Sequence, residues 1–103
     1  MAQFHDAQMW EFDIWKHPED GLTGLAYHFF DDLNYLERFN IPSEQMRAFL
    51  EAVRDHHEPN PYHNFRHVVD VTQFVYKMIG IGTLDANFSD EEKLGLMLGA
   101  LCH

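Results

Sequence analysis

A chain of 103 residues is one domain's worth at most and can bury only a modest core by itself. Its composition, 46% hydrophobic and 15% aromatic with no low-complexity tract or internal repeat, excludes a disordered chain. A formal net charge of -10, with the seven Lys and Arg residues scattered, argues against a basic surface for a DNA or RNA polymer or an anionic membrane. An anionic small substrate stays open, because a bound divalent metal inverts the local field. Cys102 is the only cysteine, so no intrachain disulfide can form and a reducing, cytoplasmic setting is expected. The richest apolar run, Leu94 to Leu101, is far too short to insert into a membrane.

After an aromatic lead-in, "MWEFDIWKHPEDG", four helices are predicted, so the fold class is all-α. The first spans roughly Thr23 to Arg38, with Leu25, Phe29, Leu33 and Leu36 on one face; Asn40 and Pro42 stop it. A second starts at Ser43 as N-cap, shows Met46, Phe49, Leu50 and Val53 at helical spacing, and ends at Pro59 and Pro61. The third begins near Tyr62 to Asn64, with Asn64 as N-cap, and runs to about Met78 with Val68, Val71, Val75 and Met78 as its apolar face. The fourth opens with Ser89 and Glu92 in a capping-box pattern and carries no charge from Leu94 to Leu101. A helix apolar all round is expected in the middle of something larger. The expected domain organisation is therefore the N-terminal part of a single larger helical domain that continues beyond the chain end, with a complete four-helix bundle as the alternative.

At 100° per residue, His63, His67, Asp70 and Phe74 form a narrow stripe on the third helix, beside the valine face. Two imidazoles and a carboxylate then point one way, as a metal site requires, with the carboxylate holding a ring in its tautomer from outside the ligand shell. The bland alternative is an exposed His63, a His67 that makes an ordinary hydrogen bond and a solvated Asp70. His103 bears on the choice, since a histidine ending an all-apolar helix is costly to bury without a partner. His5, His17, His28, His56 and His57 read as surface residues, the last two as a frayed helix end.

The stretch "PYHNFRHVVDVTQ", Pro61 to Gln73, resembles the signature P-Y-H-N-x-x-H-x-x-D-V-x-Q of the first metal-binding helix of class I 3′,5′-cyclic nucleotide phosphodiesterases, with every fixed position present. "FDIW", "LERFNIP" and the terminal "ALCH" also resemble that family, the last being the start of its histidine-aspartate motif. The resemblance implies a multi-helix, HD-type metal-dependent hydrolase domain that converts a cyclic nucleotide, cAMP or cGMP, to the 5′-monophosphate. It implies His67 and His103 as ligands of a tightly held Zn2+, and His63 as the general acid that protonates the departing O3′. Tyr62 would line the phosphate pocket and Asp70 would stand behind the ligands. The second divalent metal is expected to be Mg2+ or Mn2+. The residues that would follow His103 in the family pattern are not in this sequence, so the isolated chain is expected to be inactive. A homodimer is left open. Two alternatives stand: a truncated regulatory or binding module that keeps the helical fold, and another helical phosphohydrolase with a histidine-aspartate doublet.

Overall fold

The structure, a computed structural model, describes residues 13–57 and 64–102. Helix α1 covers Leu22–Asp32, α2 Tyr35–Arg38, α3 Ser43–His56, α4 Phe65–Gly80 and α5 Asp90–Cys102. Two 3-10 turns, Ile14–Lys16 and Glu19–Gly21, lead into α1, and no strand occurs among the described residues. The all-α expectation is met.

The first predicted helix is two. Asn34 adopts the left-handed conformation at φ 65°, so the chain breaks between α1 and α2. Asparagine tolerates that region better than other non-glycine residues. Asn40, at φ 54°, repeats the device and ends α2, with the Ile41 amide donating to the Leu36 carbonyl at 2.8 Å. Ser43 is the first helical residue of α3 and not its cap; Pro42 holds that place, in extended conformation and without a side-chain bond. Met46 and Leu50 are buried in α3, while Phe49 and Val53 are half-buried. The prolines expected to end this helix, Pro59 and Pro61, lie outside the described residues.

α1 packs against both α3 and α4, and α4 packs along α5. The core lies between them: Leu22, Leu25, Phe29, Phe30, Leu50, Val68, Val69, Tyr76, Met97 and Leu101 are all sealed from solvent. Tyr76 stacks on Phe29 at 4.7 Å between ring centroids and donates its hydroxyl proton to Asp32 Oδ2 at 2.6 Å. That bond lets a phenol occupy the core without a desolvation penalty.

The buried face of α4 is rotated from the valine face read in the sequence. It consists of Phe65, Val68, Val69, Thr72, Gln73, Tyr76, Lys77 and Ile79, while Val71, Val75 and Met78 are only half-buried. The larger side chains Phe65, Tyr76 and Ile79 remove more apolar area from water than the valines, and they turn the helix. Thr72 joins this face because its hydroxyl donates to the Val68 carbonyl at 2.6 Å.

α5 carries the predicted capping box in full. The Ser89 amide donates to Glu92 Oε1 at 2.8 Å and the Glu92 amide donates to Ser89 Oγ at 3.1 Å. Lys93, nearly buried, pairs with Asp85, and Arg38 reaches Asp90 at 2.6 Å, which ties α2 to the start of α5. The helix is not enclosed all round. Met97, Ala100 and Leu101 are buried, but Gly95, Leu96, Gly99 and Cys102 are exposed.

Candidate metal and substrate site at the start of the fourth helix

The amino end of α4 is built by Asn64. Its backbone is extended, and its side-chain oxygen accepts from the His67 amide at 2.9 Å. This satisfies one of the four amides that a helix start leaves without partners. The same cap fixes the backbone of His67 itself.

From this start, His67, Asp70 and Phe74 project on the side of α4 away from its buried face, and all three are exposed. The predicted stripe therefore exists over its described part, opposite the core. Asp70 lies near both His67 and Asp13. Desolvation of its carboxyl raises its pKa most, the His67 imidazole pulls it down, and the Asp13 carboxylate pushes it up. A carboxylate beside an imidazole one helical turn away is the arrangement that fixes a metal-binding ring. Tyr62, His63 and His103 lie outside the described residues. Among the described residues, no group of three or more His, Cys, Asp or Glu side chains could hold a metal. His67 and Asp70 supply one nitrogen donor and one carboxylate, chemically suited to Zn2+ as part of a larger set.

The other histidines divide as local structure demands. His56 Nδ1 pairs with the Ala52 carbonyl at 2.7 Å and His57 Nδ1 with the Val53 carbonyl at 2.8 Å. They serve the last carbonyls of α3, so this helix end is capped and not frayed. His28 is half-buried, its ring 6.2 Å from that of Tyr76; His17 is also half-buried, and His5 lies outside the described residues.

The sequence reading missed Arg66. Its Nη1 donates to the Ile14 carbonyl at 2.7 Å and to the His17 carbonyl at 2.8 Å, and its guanidinium lies over the Trp15 ring at 5.1 Å. No local pattern signals a contact across 49 and 52 residues. A cavity of about 330 Å³ between α1 and α3 is lined by Thr23, Gly24, Tyr27, Arg47, Leu50 and Glu51, none of them a predicted site residue. No helix among the described residues is long and apolar enough to cross a membrane.

Residues 62–103 match the family described as 3'5'-cyclic nucleotide phosphodiesterase. The chain is 36% identical over 92 residues to the high affinity cGMP-specific 3',5'-cyclic phosphodiesterase 9A of Pan troglodytes, an alignment covering 89% of this chain and 16% of that protein. It is 34% identical over 95 residues to the 3',5'-cyclic-nucleotide phosphodiesterase regA of Dictyostelium discoideum, covering 91% of this chain and 12% of the relative. A cGMP-specific 3',5'-cyclic phosphodiesterase of Drosophila melanogaster is 28% identical over 102 residues, covering 99% and 9%. The chain thus spans less than a fifth of the length of these relatives. Over residues 62–103, which include α4, the chain is similar to the 3'5'-cyclic nucleotide phosphodiesterase family, and its likeness to individual phosphodiesterases extends over 89% of its length or more.

Proposed function

We propose that this chain supplies the first half of a metal-dependent site that hydrolyses a 3′,5′-cyclic nucleotide to its 5′-monophosphate, as the N-terminal part of one catalytic domain. The observation that carries the reading is the outward stripe of α4: His67 exposed on a capped first turn, with Asp70 one turn on and the core on the opposite side. In this reading His67 and His103 are ligands of a zinc ion, with a second divalent metal, Mg2+ or Mn2+, completing the site. Such a metal pair, when bound, neutralises phosphate oxygens and lowers the pKa of water.

The chain's own residues take the remaining tasks. Asp70 orients the His67 ring and stabilises it as a donor. His63, four residues before His67, donates its proton to O3′ of the ribose as the ester bond breaks, so that an alcohol departs and not an alkoxide. Tyr62 lines the pocket for the phosphate. The substrate is a cyclic nucleotide, and cGMP is the first to try, since relatives specific for cGMP share the stretch that includes α4. The acidic net charge of -10 repels an anionic substrate, so attraction falls to the metal charge.

The test is hydrolysis of cGMP and cAMP, with magnesium and zinc supplied, by the longest natural polypeptide that contains this sequence. Turnover abolished by chelator is expected. A folded protein that holds zinc and turns over neither nucleotide contradicts the enzyme and supports a regulatory module instead.

A further inference from the structure

The stripe that presents His67 faces away from the core, so core packing alone does not fix the tilt of the first turn of α4. Phe65, 4% exposed, anchors one side of that turn. Arg66 lies between the buried face and the stripe, half-buried, and holds the other side. One guanidinium nitrogen gives hydrogens to two carbonyls, those of Ile14 and His17, at 2.7 and 2.8 Å. These are short, charge-assisted bonds. The Ile14 carbonyl also accepts from the His17 amide at 3.1 Å, which closes the Ile14–Lys16 turn, so Arg66 grips a backbone already folded into a ring. Ile14 is 6% exposed and seats that turn in the core, while Asp13 caps it by accepting from the Trp15 amide at 3.0 Å. Trp15, 77% exposed, contributes little to the core and offers its ring face to the guanidinium.

We propose that Arg66 is a positioning residue for the site on α4: by clasping the backbone of residues 14–17 it fixes the first helical turn, and with it the direction in which His67 is presented. This rests on the metal reading above. Arginine suits the task because its charge persists at every physiological pH and its planar head serves carbonyls at its edge and an aromatic ring on its face at once. Lysine would keep the charge and part of the carbonyl contact but lose the planar stacking.

The experiment measures Zn2+ affinity by chelator competition in the longest natural polypeptide containing this sequence, beside amide hydrogen exchange over residues 64–70. Arg66→Ala is expected to weaken zinc binding about tenfold, the scale seen when a group supporting a metal ligand is removed. Exchange should quicken in the first turn of α4 and stay unchanged in α3 and α5. Arg66→Lys should recover most of the affinity, a rescue that a loss of folded fraction does not show. Should Arg66→Ala fail to fold, Trp15→Ala, which leaves the core intact, should weaken zinc in the same direction by a smaller factor. Affinity within twofold of the parent in Arg66→Ala, or in Trp15→Ala where Arg66→Ala does not fold, overturns the proposal. His67→Ala separates the two claims. If it abolishes zinc binding while Arg66→Ala leaves it unchanged, only the Arg66 role falls; if neither variant matters, or the parent binds no zinc, the metal reading itself has failed.

Discussion

The two faces of α4 answer to different demands. Val68, Val69, Thr72 and Tyr76 are fully buried and hold α4 to its neighbours. His67 and Asp70, one or two residues away in sequence, are exposed and contribute almost nothing to that packing. The difference teaches that the proposed site residues are exposed and depend on backbone devices for their placement, the Asn64 cap and, as we propose, the Arg66 clasp. Substitutions on one face should therefore move stability and on the other metal binding, with little crossover.

The sharpest break of that contrast is Tyr76→Ala. It removes a ring stacked on Phe29 and leaves Asp32 without its hydroxyl donor, and is expected to cost about 3–5 kcal/mol in denaturant unfolding, enough to unfold a small domain. His67→Ala should do the reverse: metal-free stability within about 0.5 kcal/mol of the parent, as for an exposed residue, with loss of zinc occupancy read by elemental analysis. Large destabilisation of the metal-free protein by this change would erase the distinction between the faces. Asn64→Ala lies between the two, since it frees a helix-start amide and should cost about 1 kcal/mol in thermal unfolding while loosening the turn that carries His67.

The smallest effect is expected away from α4. Tyr35 is 3% exposed and, among the described residues, its hydroxyl has no hydrogen-bond partner. Burial first, then the Asp90 carboxylate with Asp85 adding and Arg38 opposing, pushes its pKa up to about 12. The folded state then keeps this proton more tightly than the unfolded chain. Its contribution to stability is full below the ordinary value of 10 and is lost as pH rises from there through about 12. Tyr35→Phe should be within about 0.5 kcal/mol of neutral at pH 7 and should flatten the alkaline limb of a pH–stability profile. An unchanged alkaline limb would show that some other group governs it.

How much of this was legible in the sequence depended on how local each cause was. The Asn64 cap and the Ser89–Glu92 box are interactions between residues three apart, and both are present as read. The stripe of His67 and Asp70 follows from helical period alone, and it too is present. The α1–α2 break at Asn34 was hidden because the apolar spacing of Leu25, Phe29 and Leu36 continues across it, and all three are buried. The rotation of the buried face was hidden because Tyr76 enters the core only with Asp32 as acceptor, 44 residues away. The Arg66 clasp is tertiary in the same sense. Tyr62, His63 and His103 were singled out from sequence and lie outside the described residues.

The most direct test compares zinc content and cyclic nucleotide turnover of His67→Ala and His63→Ala in the longest natural polypeptide that contains this sequence. The account predicts that His67→Ala loses both, and that His63→Ala keeps its zinc and loses turnover, since one residue binds and the other gives a proton. Zinc retained in His67→Ala, or lost in His63→Ala, would contradict it.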